Sequence, residues 1–193
     1  MACHPRRPRI RRQQVSAAAA FIVWLGAALL VLSEGRRALA LGIALITVGF
    51  AVLAQAGGGA LAASAILVGG GVATGRRFRS GPDVWGLMPP GSTARLVLAV
   101  AVGLLALWIS TSVMTGPGAS VRFAALSVLG LMGARVLTAS EPAVVLPALS
   151  ALALSVAIAA GAASTGPGPA LYVLAGIVAG AISLVRLREP NGA

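Results

Sequence analysis

The chain of 193 residues is 58% hydrophobic and only 10% charged, with a formal net charge of +11. A soluble domain carries about 25% charged residues, so this composition excludes a soluble globular protein and favours apolar spans of roughly 17 to 25 residues each. The basic residues are all arginine, lie mostly at the ends of apolar runs and have few aromatic neighbours, which argues against nucleic-acid binding.

Residues 1–14 are basic and contain two prolines. We predict that they form a disordered tail that lies on anionic lipid head groups. The first apolar run, near 16–33, is the first predicted span. A basic segment followed by an apolar one also fits a signal peptide, but no small-x-small cleavage site follows, so we expect a retained helix.

Six further apolar runs are bounded by glycine, proline or charged residues, which end helices. We predict spans near 38–55, 58–74, 95–114, 119–138, 142–164 and 169–185. Together with the first they form one transmembrane domain over 15–189, followed by a frayed C-terminus at 190–193. The expected count is seven spans, with six and eight as alternatives.

Three short glycine-rich segments join neighbouring spans: Gly57–Gly59, and the Thr-Gly-Pro-Gly sequences at 115–118 and 165–168. Each is too short for anything except the tip of a helical hairpin. The predicted fold is therefore an all-α, polytopic transmembrane helix bundle, built of one N-terminal helix plus three helical hairpins with Gly/Pro-rich tips. Whether the hairpins arose by duplication stays open.

Small residues at a spacing of four let helix backbones approach each other closely in a membrane. Gly71 with Gly75, and Gly176 with Gly180, have this spacing. We expect thin, tightly packed helices.

The far ends of the three hairpins carry nine arginines, whereas the tips and the N-terminal tail carry six. Since positive residues favour the cytoplasmic side, we predict that the tips face outward and that the C-terminus is cytoplasmic. The exclusive use of arginine, with abundant alanine and glycine, is typical of a high-GC bacterium. The predicted location is the bacterial cytoplasmic (inner) membrane, although seven spans place the basic N-terminal tail outside.

Chemistry needs titratable groups within reach of a substrate, and the predicted spans hold few of them. The four acidic residues fall in loops or at span ends, and the only histidine and cysteine lie together in the N-terminal tail. We therefore expect no catalytic residue, no metal site and no cofactor, and we interpret the chain as a protein that is not an enzyme.

Two arginines lie within predicted spans, Arg122 and Arg135, each about one turn from a span end. Both can snorkel to the membrane surface, and they are the candidate contacts for an anionic ligand or a lipid head group. The only sizeable loop, 75–95, contains Trp85, Leu87 and Met88. These three are candidate interfacial anchors or a docking site for a partner.

The main functional hypothesis is an accessory or scaffolding subunit of a larger membrane complex, because the chemistry is sparse and loop 75–95 is more apolar than a free loop requires. The alternative is a small permease or channel-like transporter for an uncharged or anionic solute. That reading rests on the hairpin repeat and on the polar patch Ser110-Thr111-Ser112 beside a tip. The expected partners are the lipid bilayer and other membrane subunits, or further copies of the chain, and not nucleic acid.

Overall fold

A computed structural model describes residues 7–79, 93–112, 118–138, 142–163 and 170–184. These residues are almost entirely helical. They form six helices: α1 (Arg7–Leu32), α2 (Arg36–Arg79), α3 (Thr93–Ser112), α4 (Ala119–Thr138), α5 (Pro142–Ala163) and α6 (Ala170–Leu184).

Five of these helices are long and apolar enough to cross a membrane, and α6 is a shorter apolar helix of 15 residues. The all-helical fold is therefore confirmed for the described residues, and the length and apolar composition of five helices agree with the predicted membrane spans. The predicted count of seven spans is not established by the lengths of the described helices.

Helix α2, of 44 residues, is a hairpin of two helical arms that meet at a kink. Gly59 breaks it with φ 73° and ψ −169°, a backbone conformation that is essentially restricted to glycine. Gly70 packs directly against the side chain of Thr47, and a straight helix would hold these residues about 35 Å apart. The chain therefore folds back at Gly59, within the predicted tip, into a first arm (36–58) and a second arm (60–79).

The boundaries of α3, α4, α5 and α6 lie within two residues of the predicted spans at their described ends. Two boundaries were wrong. Helix α1 begins at Arg7, so the predicted disordered tail is helical from that residue onward, because arginine and glutamine favour helices and Pro8 lies in the first turn, where proline is tolerated. Helix α2 continues through Arg79, so the predicted loop 75–95 begins later than expected.

Backbone-to-backbone packing places α2 at the centre of the bundle, against α1 on one side and α6 on the other. A Cβ atom on Gly26 of α1 would lie 2.7 Å from the carbonyl oxygen of Gly42. A Cβ atom on Gly69 would overlap the backbone of Gly176 in α6. Small residues thus allow these helices to touch, as expected of a membrane bundle.

The described glycines divide into packed and open positions. Gly176 lies against Ala65, whereas the space around Gly71, Gly75 and Gly180 is open. Of the two predicted glycine pairs, only Gly176 therefore makes a close contact.

The bundle has two distinct ends. The tip end carries Gly57–Gly59 and the start of α1, where the hydroxyl groups of Ser16 and of Ser120 in α4 lie 3.4 Å apart. Tyr172, at the start of α6, packs there against Gly58 and Gly161. The opposite end, here called the basic end, carries the junction of α1 with α2 and the start of α3.

Candidate functional site

Arg135 is the charged side chain most deeply placed in the described part of the bundle, with only 6% of its surface exposed. Its Nη1 atom donates a hydrogen bond of 2.6 Å to the carbonyl oxygen of Val31, and Nη2 donates one of 2.7 Å to that of Ser33. These carbonyl groups belong to the last turn of α1 and the residue that follows it, where carbonyl oxygens have no partner within the helix. Arg135 therefore caps α1 from the neighbouring helix α4.

This geometry corrects the expectation that Arg135 snorkels to the membrane surface. A cation beside the C-terminus of a helix is favoured by the helix dipole, and its hydrogen bonds to carbonyl oxygens are stronger than those between neutral groups. The guanidinium group is directed into the protein because the end of α1 lies beside α4. Arg135 thus joins two helices.

An ion pair lies next to this cap, on the surface of the basic end. Arg95, at the start of α3, donates from Nη1 to Oε1 of Glu34 over 2.7 Å. Both charges are close enough to Arg135 to interact with it electrostatically. Because both side chains are nearly half exposed, this pair contributes little stability on its own. The basic end therefore joins α1, α3 and α4 through one buried and two exposed charges.

Arg122 lies at the tip end, so the structure does not bring the two candidate arginines together. It is half-buried in the first turn of α4, and its backbone N–H donates to the carbonyl oxygen of Gly118 over 3.0 Å. Its side chain lines a cavity of about 250 Å³ between α3, α4 and α5, together with Ile109 and Ala159. This placement near the tip agrees with the position expected from the sequence.

The three candidate docking residues Trp85, Leu87 and Met88 lie outside the described residues. The same is true of most of the two Thr-Gly-Pro-Gly tips. The anchoring and docking roles of Trp85, Leu87 and Met88 stay predictions.

Buried hydroxyl groups in the described spans bond mainly to helix carbonyl oxygens. Ser33, directly after α1, donates to the carbonyl oxygen of Leu29 in the last turn of that helix, and Ser150 of α5 donates across to that of Ala179 in α6 over 3.2 Å. Bonds of this kind satisfy a polar side chain locally or hold two helices together. Within the described ranges, no group of three or more His, Cys, Asp or Glu residues is placed to hold a metal ion.

Two larger recesses open on the sides of the bundle. The tip groove, of about 900 Å³, lies between α1 and both arms of α2 and is lined by Arg11, Arg12, Ser16, Val48, Ala51, Val52, Gln55, Ala56, Ala63 and Leu67, with Val15. The lateral cavity, of about 490 Å³, lies between α1, α3 and α4 and includes Trp24, Gly103 and Leu104 in its apolar lining. Sequence reasoning missed both, because a recess depends on the spacing between helices.

One signal for the tip groove was present in the sequence. Arg11 and Arg12 stand directly before the first apolar run. A disordered tail would not bring these two arginines into the bundle, whereas helix α1 places them at the rim of the tip groove.

Comparisons with protein-family models, with curated proteins and with solved structures find no match to this chain.

Proposed function

We propose that the chain is a non-catalytic, multi-pass subunit that scaffolds a larger assembly in a bacterial cytoplasmic membrane. The observation that carries this proposal is the position of α3. In its most apolar stretch of 18 residues only 22% are buried, against 67% in the corresponding stretch of α2. Helix α3 packs mainly on α4 and leaves the lateral cavity open between itself and α1.

A partner helix that packs on α3 would cover both the exposed face and the lateral cavity. Large apolar side chains dominate this face, among them Val97, Leu104 and Leu105. The non-catalytic part of the proposal is supported by Arg135, because its guanidinium group is occupied by the end of α1. A charge inside a membrane is ordinarily a functional candidate, and here a structural role accounts for it.

The native mass of the complex tests the proposal. We expect protein extracted from its own membranes in mild detergent to have a mass well above that of one chain and to carry other polypeptides in fixed stoichiometry. Recovery of the single chain, or of homo-oligomers alone, would contradict the scaffolding role.

A pair of matched variants locates the contact. Leu104→Trp changes a residue of α3 that is 63% exposed, and Leu174→Trp changes a residue of α6 that is 60% exposed. We expect the α3 variant to lose the partner chains and the α6 variant to retain them. Equal recovery from both variants would place the contact elsewhere.

The second candidate is a permease for an uncharged or anionic solute, and the cavity beside Arg122 favours it. That cavity lies between three helices at the tip end, close to where the polar patch at the end of α3 begins. This function predicts that the purified chain moves solute across liposomes and that Arg122→Ala changes the flux. Absence of flux across a broad panel of solutes would exclude it.

We infer that the chain crosses the membrane seven times, because the two arms of α2 form a hairpin and α6 supplies the last crossing. Cys3, the only cysteine, is a natural probe for this topology. A membrane-impermeant thiol reagent added to intact cells is expected to label Cys3 of the native chain from outside. The same reagent is expected to label a Gly57→Cys variant that also carries Cys3→Ser. An Arg79→Cys variant that also carries Cys3→Ser is expected to be labelled only after the cells are lysed. Labelling of Cys3 and of Arg79→Cys from the same side of the membrane would contradict seven crossings.

A further inference from the structure

The tip groove combines a cationic rim with an apolar wall. Arg11 and Arg12 lie at one edge on α1, and Ser16 follows one turn after Arg12. Below them the wall is formed by Val48 and Val52 of α2, side chains that are partly exposed within the groove. Such a surface fits a molecule with an anionic head and an apolar chain.

The two arginines have no carboxylate to neutralise them among the described residues. Glu34 is the only acidic residue within the described ranges, and it pairs with Arg95 at the opposite end of the bundle. Arg11 and Arg12 are both exposed. Their charges are therefore available to an anion that enters the groove.

The depth of the groove distinguishes an amphiphile from a small soluble anion. Its lining on the first arm of α2 extends from Ala56 near the tip down to Val48, about 12 Å along the helix. A free anion would contact only the rim and leave Val48, Val52 and Leu67 without a partner. An acyl chain would cover these side chains while its head group meets the arginines.

We propose that the tip groove binds an anionic phospholipid, with its phosphate between Arg11 and Arg12 and an acyl chain along Val48, Val52 and Leu67. Two arginines near a membrane surface correspond to a preference of about 25-fold for an anionic over a zwitterionic lipid. The site is distinct from the α3 face proposed to meet a partner chain.

Lipid titration of the purified full chain in a neutral detergent tests the site, with bound lipid counted by native mass spectrometry. The probes are dioleoyl phosphatidylglycerol and dioleoyl phosphatidylcholine, which share their acyl chains and differ in head-group charge. We expect one phosphatidylglycerol to bind about 25-fold more tightly than phosphatidylcholine. Arg11→Gln combined with Arg12→Gln should remove this preference, whereas Arg76→Gln combined with Arg79→Gln at the basic end should preserve it.

A second pair of variants tests the apolar wall without changing any charge. Val52→Trp fills the groove, and Val72→Trp adds the same bulk at a position of similar exposure, 41% against 39%, outside the groove. We expect Val52→Trp to weaken phosphatidylglycerol binding by about tenfold, because the acyl chain loses apolar contact area in the groove, and Val72→Trp to leave it unchanged. A near-native helical circular dichroism spectrum for both variants confirms that each is folded.

Three results would overturn the proposal. The first is equal affinity for the two lipids. The second is a preference that survives the Arg11/Arg12 substitutions. The third is displacement of phosphatidylglycerol by millimolar inorganic phosphate, which would identify the site as one for a free anion.

Discussion

Helices α2 and α3 are almost equally apolar, yet one forms the centre of the bundle and the other its edge. They differ in their small residues. Helix α2 contains nine glycines in 44 residues, of which four are buried: Gly42, Gly49 and Gly69 against neighbouring helices, and Gly70 against the first arm of α2. Helix α3 contains one glycine, Gly103, which lies against the indole ring of Trp24, and its other apolar positions are mainly Leu, Val and Ala.

The comparison shows what determines burial in a membrane. Lipid tails are as apolar as leucine, so hydrophobicity does not draw one helix against another. Close backbone approach, dispersion contacts and a few polar bonds determine which helix lies inside. Helix α2 has such contacts on two sides, whereas α3 is held mainly by α4 and by the pair Arg95–Glu34.

The substitution with the largest expected effect is Gly69→Leu. Any side chain at this position would overlap the backbone of Gly176, so the two helices must separate, which we expect to cost about 3 kcal/mol or more. Gly71→Leu, two residues along the same helix, enters open space and should change stability little. SDS-induced unfolding followed by circular dichroism measures both, and equal losses would show that the Gly69 contact does not govern the packing.

Arg135→Met should have the next largest effect. The substitution leaves two carbonyl groups at the end of α1 without their charged donors, which we expect to cost about 2 kcal/mol. Arg79→Met, at an exposed position of the basic end, is the control and should change stability by less than about 0.5 kcal/mol. If Arg135→Met unfolds at the same SDS fraction as the control, the cap contributes nothing.

A leucine truncation in each helix compares their packing directly. Leu53→Ala removes a buried side chain from α2 and leaves a cavity, which we expect to cost about 1 to 2 kcal/mol in a lipid environment. Leu105→Ala in α3 removes an exposed side chain, so its effect in isolated protein should be close to zero. A comparable loss for Leu105→Ala would mean that α3 is buried in the isolated chain.

The smallest expected effect is that of Glu34→Gln, which breaks the exposed pair with Arg95. We expect about 0.5 kcal/mol or less, decreasing as salt screens the pair. SDS unfolding of the variant at low and high ionic strength measures this effect. A large loss of stability that does not depend on salt would contradict the interpretation of the Arg95–Glu34 pair as an exposed, weak ion pair.

The sequence predicted the helices and the hairpin tip at Gly57–Gly59, because apolar length and glycine clusters are local properties. It did not predict which glycines make contacts, since Gly69 and Gly71 differ only in the helix face that they occupy. The role of Arg135 was hidden for the same reason. A cation one turn from the end of a span can point outward or inward, and only the position of α1 beside α4 decides between them.

The tip groove shows a further limit of local reasoning. Arg11 and Arg12 belong to a sequence that reads as a polar tail, and only the helix that begins at Arg7 brings them beside the first arm of α2. The cationic rim of the tip groove therefore could not be predicted from a sequence that was interpreted as disordered.

The most direct test of the α3 face is site-specific photocrosslinking in native membranes. A photoreactive residue at position 104 of α3 is expected to form a protein adduct with one other polypeptide in fixed yield. The same residue at position 174 of α6 is expected to form only lipid adducts. Lipid adducts alone at both positions would contradict the proposal that α3 is the face on which a larger assembly is built.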